Sequence, residues 1–304
     1  MTAVKKYIVL FTKIAGLTIL YIPIWIAGAM FIQDGLPDVQ PEPGLVNETT
    51  GMLILALVNT LLILSLILTS KWRGWKLALV LAVAYYGSFT FITQIETWYF
   101  LTGITVSAEL TSSLFLMGLT VPLLFIPIAI FIFGHWKKID GEDAPLTLLH
   151  MPVKQFIIRL VAISILYVVI YWIAGYYIAW QNPELRAFYG SEGEITPFWE
   201  HTIQTFSNSP DLLILQLIRG VLFALFVYPV IRGSSVSPWL TSLITGSLLA
   251  IPSLGHILAN PLIPSAEVRF THMIETIPST FLFGIIIALI FHRKFTTKSC
   301  EISN

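Results

Sequence analysis

Eight times along this 304-residue chain, a run of about 20 residues passes with hardly a charge in it. An α-helix of that length crosses a hydrocarbon layer of about 30 Å at about 1.5 Å per residue. The runs predict an all-α polytopic membrane protein with spans near 7–31, 51–70, 77–97, 113–134, 155–179, 211–231, 239–259 and 274–291. Composition points the same way: 56% of residues are hydrophobic and 11% charged, where soluble domains carry about 25% charged residues. The first run has Lys5 and Lys6 before it and a small-residue triplet, Ala27–Ala29, that imitates a signal-peptide cleavage site. A signal core is only about 7–15 residues long, whereas this stretch goes from Tyr7 to about Ile32 and is read as a retained span.

Charge also sets an expected orientation. With the N-terminus cytoplasmic, Lys5, Lys6, Lys71, Arg73, Lys76, Lys137, Lys138, Lys154, Arg232, Arg293, Lys294 and Lys298 all fall inside. The outer segments hold Asp34, Asp38, Glu42, Glu48, Glu109, Glu184, Glu192, Glu194, Glu200 and Glu267, with only Arg186 and Arg269 basic. Both termini are therefore expected inside, in a plasma membrane and by inference a bacterial inner membrane. Of the two long outer loops, 32–50 is rich in Pro, Gly and acid and reads as irregular and solvated. The other, 180–210, holds a short interfacial helix near 196–207 that caps the bundle. Trp98, Trp180, Trp199 and Trp239 fall at membrane boundaries, as an aromatic belt requires.

The first and fifth spans repeat one another. "TKIAGLTILYIPIWIAG" (12–28) aligns with "IRLVAISILYVVIYWIAG" (158–175), matching Lys13 to Arg159, Tyr21 to Tyr167 and Trp25-Ile26-Ala27-Gly28 to Trp172-Ile173-Ala174-Gly175, with one inserted residue. The second and sixth spans share "LIL" and a trailing Arg-Gly, and the fourth and eighth both end in His plus basic residues. This pattern predicts two parallel four-helix halves, 1–138 and 155–304, joined by a cytoplasmic linker at 139–154 and related by a pseudo-two-fold axis along the membrane normal. A site at the join is the natural expectation. Heme A synthases also have two parallel four-helix halves, but their haem ligation takes paired histidines in each half. The first half here has only His135, at its cytoplasmic end, which excludes that chemistry.

Ionisable residues inside spans are costly and normally point into the bundle. Counting along each run places Glu96, His256, His272 and Glu275 at one outer level, with Arg219 about 12 Å deeper. His272, Glu275, Thr276 and Ser279 are spaced i, i+3, i+4, i+7 and form one polar stripe. Pro278 either kinks that helix or marks its start, with Glu275 or Thr276 near the N-cap. Gln94 and Gln216 are supporting polar groups, and Arg219 needs a counter-charge such as Glu96 or Glu275. Lys13 and Arg159 are near enough to the cytoplasmic face to snorkel, and "AYYGSFTF" (84–91) reads as a helix-packing segment around Gly87.

The candidate ligand or proton site is thus Glu96, Arg219, His256, His272 and Glu275, with Gln94, Gln216, Thr276 and Ser279 in support. His256, His272 and Glu275 are weak metal candidates, since His272 and Glu275 share a helical face. No motif names a cofactor: HExxH and GxSxG are missing, and the single Cys300 permits neither an internal disulfide nor a CxxC pair. Zero net charge argues against a nucleic-acid partner and leaves the lipid bilayer plus a small-molecule or lipid ligand. Small-ligand or proton-coupled transport or binding leads. The alternatives are a membrane-embedded enzyme acting on a lipid or isoprenoid at the outer face, and a non-catalytic assembly or partner subunit.

Overall fold

The computed structural model describes residues 3–137, 151–191 and 193–293. Most of the 139–154 linker lies outside the described residues, as do Lys138, Glu192, Lys294, Lys298 and Cys300. The described residues form helices α1 (Ala3–Ala29), α2 (Glu48–Leu68), α3 (Gly74–Leu101), α4 (Ala108–Ile132), α5 (Val153–Gln181), α6 (Pro183–Phe188), α7 (Phe198–Asn208), α8 (Pro210–Arg232), α9 (Pro238–Ile257) and α10 (Ala266–His292). None of them belongs to a β-strand. Eight helices, all but α6 and α7, are long and apolar enough to cross a membrane, which makes this a multi-pass membrane protein.

Helix is the outcome because lipid offers no partner to a free backbone N–H or C=O. The starts carry the usual signals. Asn47, Ser107, Ser237 and Ser265 each accept a backbone N–H from the first turn of α2, α4, α9 and α10, and proline opens α6, α8 and α9. In the apolar windows of the spans the buried share runs from 11% to 50%, so at least half of each keeps some surface uncovered. That uncovered surface is apolar, with Ile19, Leu57, Leu123, Phe131, Ile165 and Ile218 exposed, as lipid requires. The inner faces meet in one large core that includes Leu17, Leu66, Leu81, Phe125, Ile163, Phe223, Phe283 and Ile287.

α9 and α10 pack most extensively. A Cβ on Gly284 would fall 2.7 Å from the Gly246 Cα, so only glycine permits this approach. Between the first four spans and the last four, α2 packs on α9 and α3 on α8. Two spans carry a π-turn, Gly87–Phe91 in α3 and Val121–Phe125 in α4, and α9 tightens to a 3₁₀ segment at Ile251–Ile257, where Pro252 sits. The segment read as simple helix packing is thus also an irregular turn. Gly87 does press on Phe226 of α8, but one extra residue rotates the remainder of α3 by about 100°, which sets the face on which Glu96 emerges.

Three expectations need correction. α10 begins at Ala266 under a Ser265 cap and runs unbroken through Pro278, so neither Glu275 nor Thr276 is an N-cap. Lys13 and Arg159 do not simply reach for water. Lys13 donates to the Ile132 carbonyl at 2.7 Å, and Arg159, 4% exposed, donates to the Phe291 and Arg293 carbonyls at 2.7 and 2.5 Å. Each cation thereby satisfies C-terminal carbonyls of α4 or α10 that have no partner within their own helix. The 32–50 loop is irregular, but it is clasped rather than free. Arg269 is completely buried and donates to the carbonyls of Glu42, Pro43, Ile263 and Pro264, while the Glu42 carboxylate accepts from the Ala266 N–H. A short helix does occur in the 180–210 loop as α7, with Trp199 and Ile203 exposed and Thr202 turned inward to Trp172.

Candidate functional site

A cavity of about 350 Å³ opens among α3, α5, α7, α8 and α10, within the range of about 300–1,000 Å³ that small-molecule sites occupy. One wall is a single stripe of α5: Tyr171 and Trp172, Gly175 and Tyr176, Ala179 and Trp180. These positions recur at i, i+4 and i+8, so they share a face. The small Gly175 and Ala179 leave the space that the rings enclose; a Cβ on Gly175 would meet nothing within 4 Å. Tyr99 and Phe100 of α3 and Tyr189 after α6 add three rings, and His201 of α7 packs its imidazole against Tyr176 and Trp180, with centroids 5.3 and 5.4 Å apart. Burial pushes the pKa of the half-buried His201 below the usual histidine range and raises that of the Tyr189 phenol, so both groups are neutral near pH 7.

Glu96 and Glu275 both line this cavity, together with His272. Their situations differ. Glu96 meets Arg219 in a two-point contact, Nη1 to Oε1 at 3.1 Å and Nη2 to Oε2 at 2.5 Å. Arg219 also donates to Gln216 Oε1 at 2.9 Å and lies over the Tyr167 and Phe223 rings, 5.5 and 6.0 Å from their centroids. Such a fork satisfies a buried guanidinium that would otherwise be prohibitively costly. Glu275 is 7% exposed and, among the described residues, its carboxylate has neither a hydrogen-bond donor nor a salt-bridge partner. It senses Glu96 and Arg219 only through space.

A second, deeper cavity of about 60 Å³ shares Glu96, Tyr171 and Glu275 with the first, so those three side chains divide the two spaces. Arg219, Thr276 and Ser279 line only the deeper one. The Thr276 and Ser279 hydroxyls donate to the carbonyls of His272 and Glu275 in their own helix. Turned back this way, they bond within their own helix rather than offering donors to a ligand.

The remaining candidates stand further back. His272 Nε2 lies 2.9 Å from the Tyr189 hydroxyl, and His256 stacks on the His272 ring with centroids 5.8 Å apart. His256 supports His272 from behind and does not line either cavity. Gln216 is buried against Arg219. Gln94 lines a different cavity, beside Tyr21, Trp25 and Tyr85, and is not gathered with the others. Among the described residues no three His, Cys, Asp or Glu side chains converge as a metal would need, so the weak candidates His256, His272 and Glu275 are not assembled into a ligand set. The aromatic wall is missing from the sequence-derived candidates, and Trp180, read there as a belt residue, belongs to it. Its signal is the density of rings in "YWIAGYYIAW" (171–180) at helical spacing. The chain matches no protein-family model, no curated protein and no solved structure.

Proposed function

We propose that this protein takes up a small ligand in the aromatic cavity and acts as a carrier or gated binding protein. The observation that carries this reading is the cavity's far end. There a buried carboxylate without a partner, Glu275, stands beside an ion pair that joins α3 to α8. An occupant of that space touches both groups of four spans, so its binding is coupled to their relative position, which alternating access requires.

Two parallel halves, 1–138 and 155–304 around the 139–154 linker, suit this reading. Lys13 and Arg159 are aligned in sequence and cap the last span of their respective halves; α2 on α9 mirrors α3 on α8. In this account both termini are cytoplasmic by the lysine and arginine distribution, the cavity faces outward, and the membrane is a plasma membrane, the inner one of a bacterium.

The test fills the cavity. Gly175→Phe places a ring where no atom now stands. Three probes share a benzyl group and differ in head group: benzyltrimethylammonium, benzyl alcohol and benzylsulfonate. A probe that binds wild-type protein and is present at 100 times its Kd stabilises it by about 2.7 kcal/mol, read as a rise in Tm. The expected result is stabilisation of the wild type by at least one probe, lost in Gly175→Phe. No stabilisation by any of the three, or stabilisation that survives in Gly175→Phe, contradicts the reading.

A further inference from the structure

Resting on that cavity reading, we propose that the ligand is a monovalent organic cation with an apolar body, such as a quaternary ammonium or a protonated amine. The electrostatic inventory of the cavity decides the sign. No Lys or Arg lines it. Of the guanidiniums nearby, Arg219 has both terminal nitrogens committed to Glu96 and Gln216 and lines only the deeper space, and Arg186, outside the lining, is turned to the carbonyls of Trp180, Gln181 and Gly193. An anion entering here would meet two carboxyl groups and no cation in the lining.

Glu275 is the complementary observation. A carboxyl group this buried is expensive to ionise unless a positive group comes to it, and among the described residues no side chain does so. A ligand cation can supply that group while keeping its own apolar substituents against the rings. Tyr171, Trp172, Tyr176 and Trp180 provide the second half of the recognition, because aromatic faces carry negative quadrupole potential and attract ammonium groups. The imidazole of His201, held neutral by burial, does not oppose them. The size of the cavity limits the ligand to a small molecule.

The experiment compares equilibrium binding of the same three benzyl probes to purified wild-type protein, Glu275→Gln, Glu275→Asp and Trp180→Leu, with helical circular dichroism confirming that each variant is folded. Benzyltrimethylammonium is expected to bind at least about tenfold more tightly than benzyl alcohol, and benzylsulfonate to show no binding. Glu275→Gln, nearly isosteric but uncharged, should lose at least about tenfold in ammonium affinity and little in benzyl alcohol affinity. Glu275→Asp should retain most of it. Trp180→Leu reads the aromatic contribution by itself and should weaken the ammonium several-fold even if Glu275→Gln fails to fold. Binding of benzyl alcohol or benzylsulfonate that Gly175→Phe abolishes, without binding of the ammonium, overturns the cation inference and leaves the cavity reading standing. Ammonium binding that neither Glu275→Gln nor Trp180→Leu weakens also overturns the inference. Binding of none of the three overturns both.

Discussion

Two polar clusters sit inside the bundle, and their difference separates what holds the molecule together from what equips it to act. Around α2 the Tyr21 hydroxyl lies 2.9 Å from that of Tyr85, which donates to Asn59 Oδ1 at 2.8 Å, and Asn59 Nδ2 donates to the Leu55 carbonyl. With its proton given to Asn59, Tyr85 accepts from Tyr21, and the chain closes with no charge in it. Around α8, Tyr167 stands where Tyr21 stands in the sequence alignment and Arg219 where Asn59 does. Here the cluster is ionic, reaches across to Glu96 of α3, and leaves Glu275 unmatched. The spaces beside them scale accordingly. Two cavities of about 120 Å³ flank the neutral cluster, against one of about 350 Å³ beside the charged one. A neutral, saturated network asks nothing of a ligand, whereas an unbalanced one does.

That contrast can be broken by substitution. Arg219→Ala strands Glu96 and is expected to cost about 3 kcal/mol, the low end for breaking a buried pair, because Glu96 keeps 35% of its side chain exposed. Chemical denaturation in mixed micelles reads it. Arg159→Ala, which uncovers the two carbonyls at the end of α10, should cost about 2 kcal/mol by the same measurement. Asn59→Ala, which deprives the Tyr85 hydroxyl of its acceptor, should cost about 1.5 kcal/mol. Lys13→Ala removes a single bond from a less buried cation and should cost about 1 kcal/mol or less. Equal losses at Asn59 and Arg219 would erase the distinction between the clusters. A larger loss at Lys13 than at Arg159 would undo the matched capping of α4 and α10.

Much of the bundle is legible in sequence because lipid leaves a chain so few options: apolar length alone marks a span, and the eight spans are found at the eight predicted runs. The ends are harder. α10 starts well before its apolar stretch because Ser265 supplies a cap in polar sequence, and a hydropathy reading does not see caps. α6 escapes the same reading although Asn182-Pro183-Glu184 is a helix-start signature, with the Asn182 side chain accepting the N–H groups of Glu184 and Leu185.

At the candidate site, counting rise per residue puts Glu96, His272 and Glu275 on one level but sets Arg219 about 12 Å deeper, whereas the structure has it in direct contact with Glu96. Counting does not tell which carboxylate the guanidinium takes, since that depends on helix rotation and on the π-turn at Gly87–Phe91. The aromatic wall escapes for a different reason. Rings near a membrane boundary serve equally well as interfacial anchors, and only packing reveals that Trp180 faces inward to the cavity while Trp199 stays exposed.

The central claim is that Glu96 and Glu275, lining the same cavity, are chemically unlike: one held by Arg219, the other held by nothing among the described residues. A hydrophobic carbodiimide distinguishes them, because it adds to a carboxyl that can hand over a proton and not to a carboxylate locked to a guanidinium. Treating the folded protein in micelles with dicyclohexylcarbodiimide and mapping the adducts by peptide mass spectrometry should show modification at Glu275, little at Glu96, and protection of Glu275 by benzyltrimethylammonium. Modification of Glu96 equal to or greater than that of Glu275, or labelling of Glu275 that the ammonium leaves unchanged, would contradict the account.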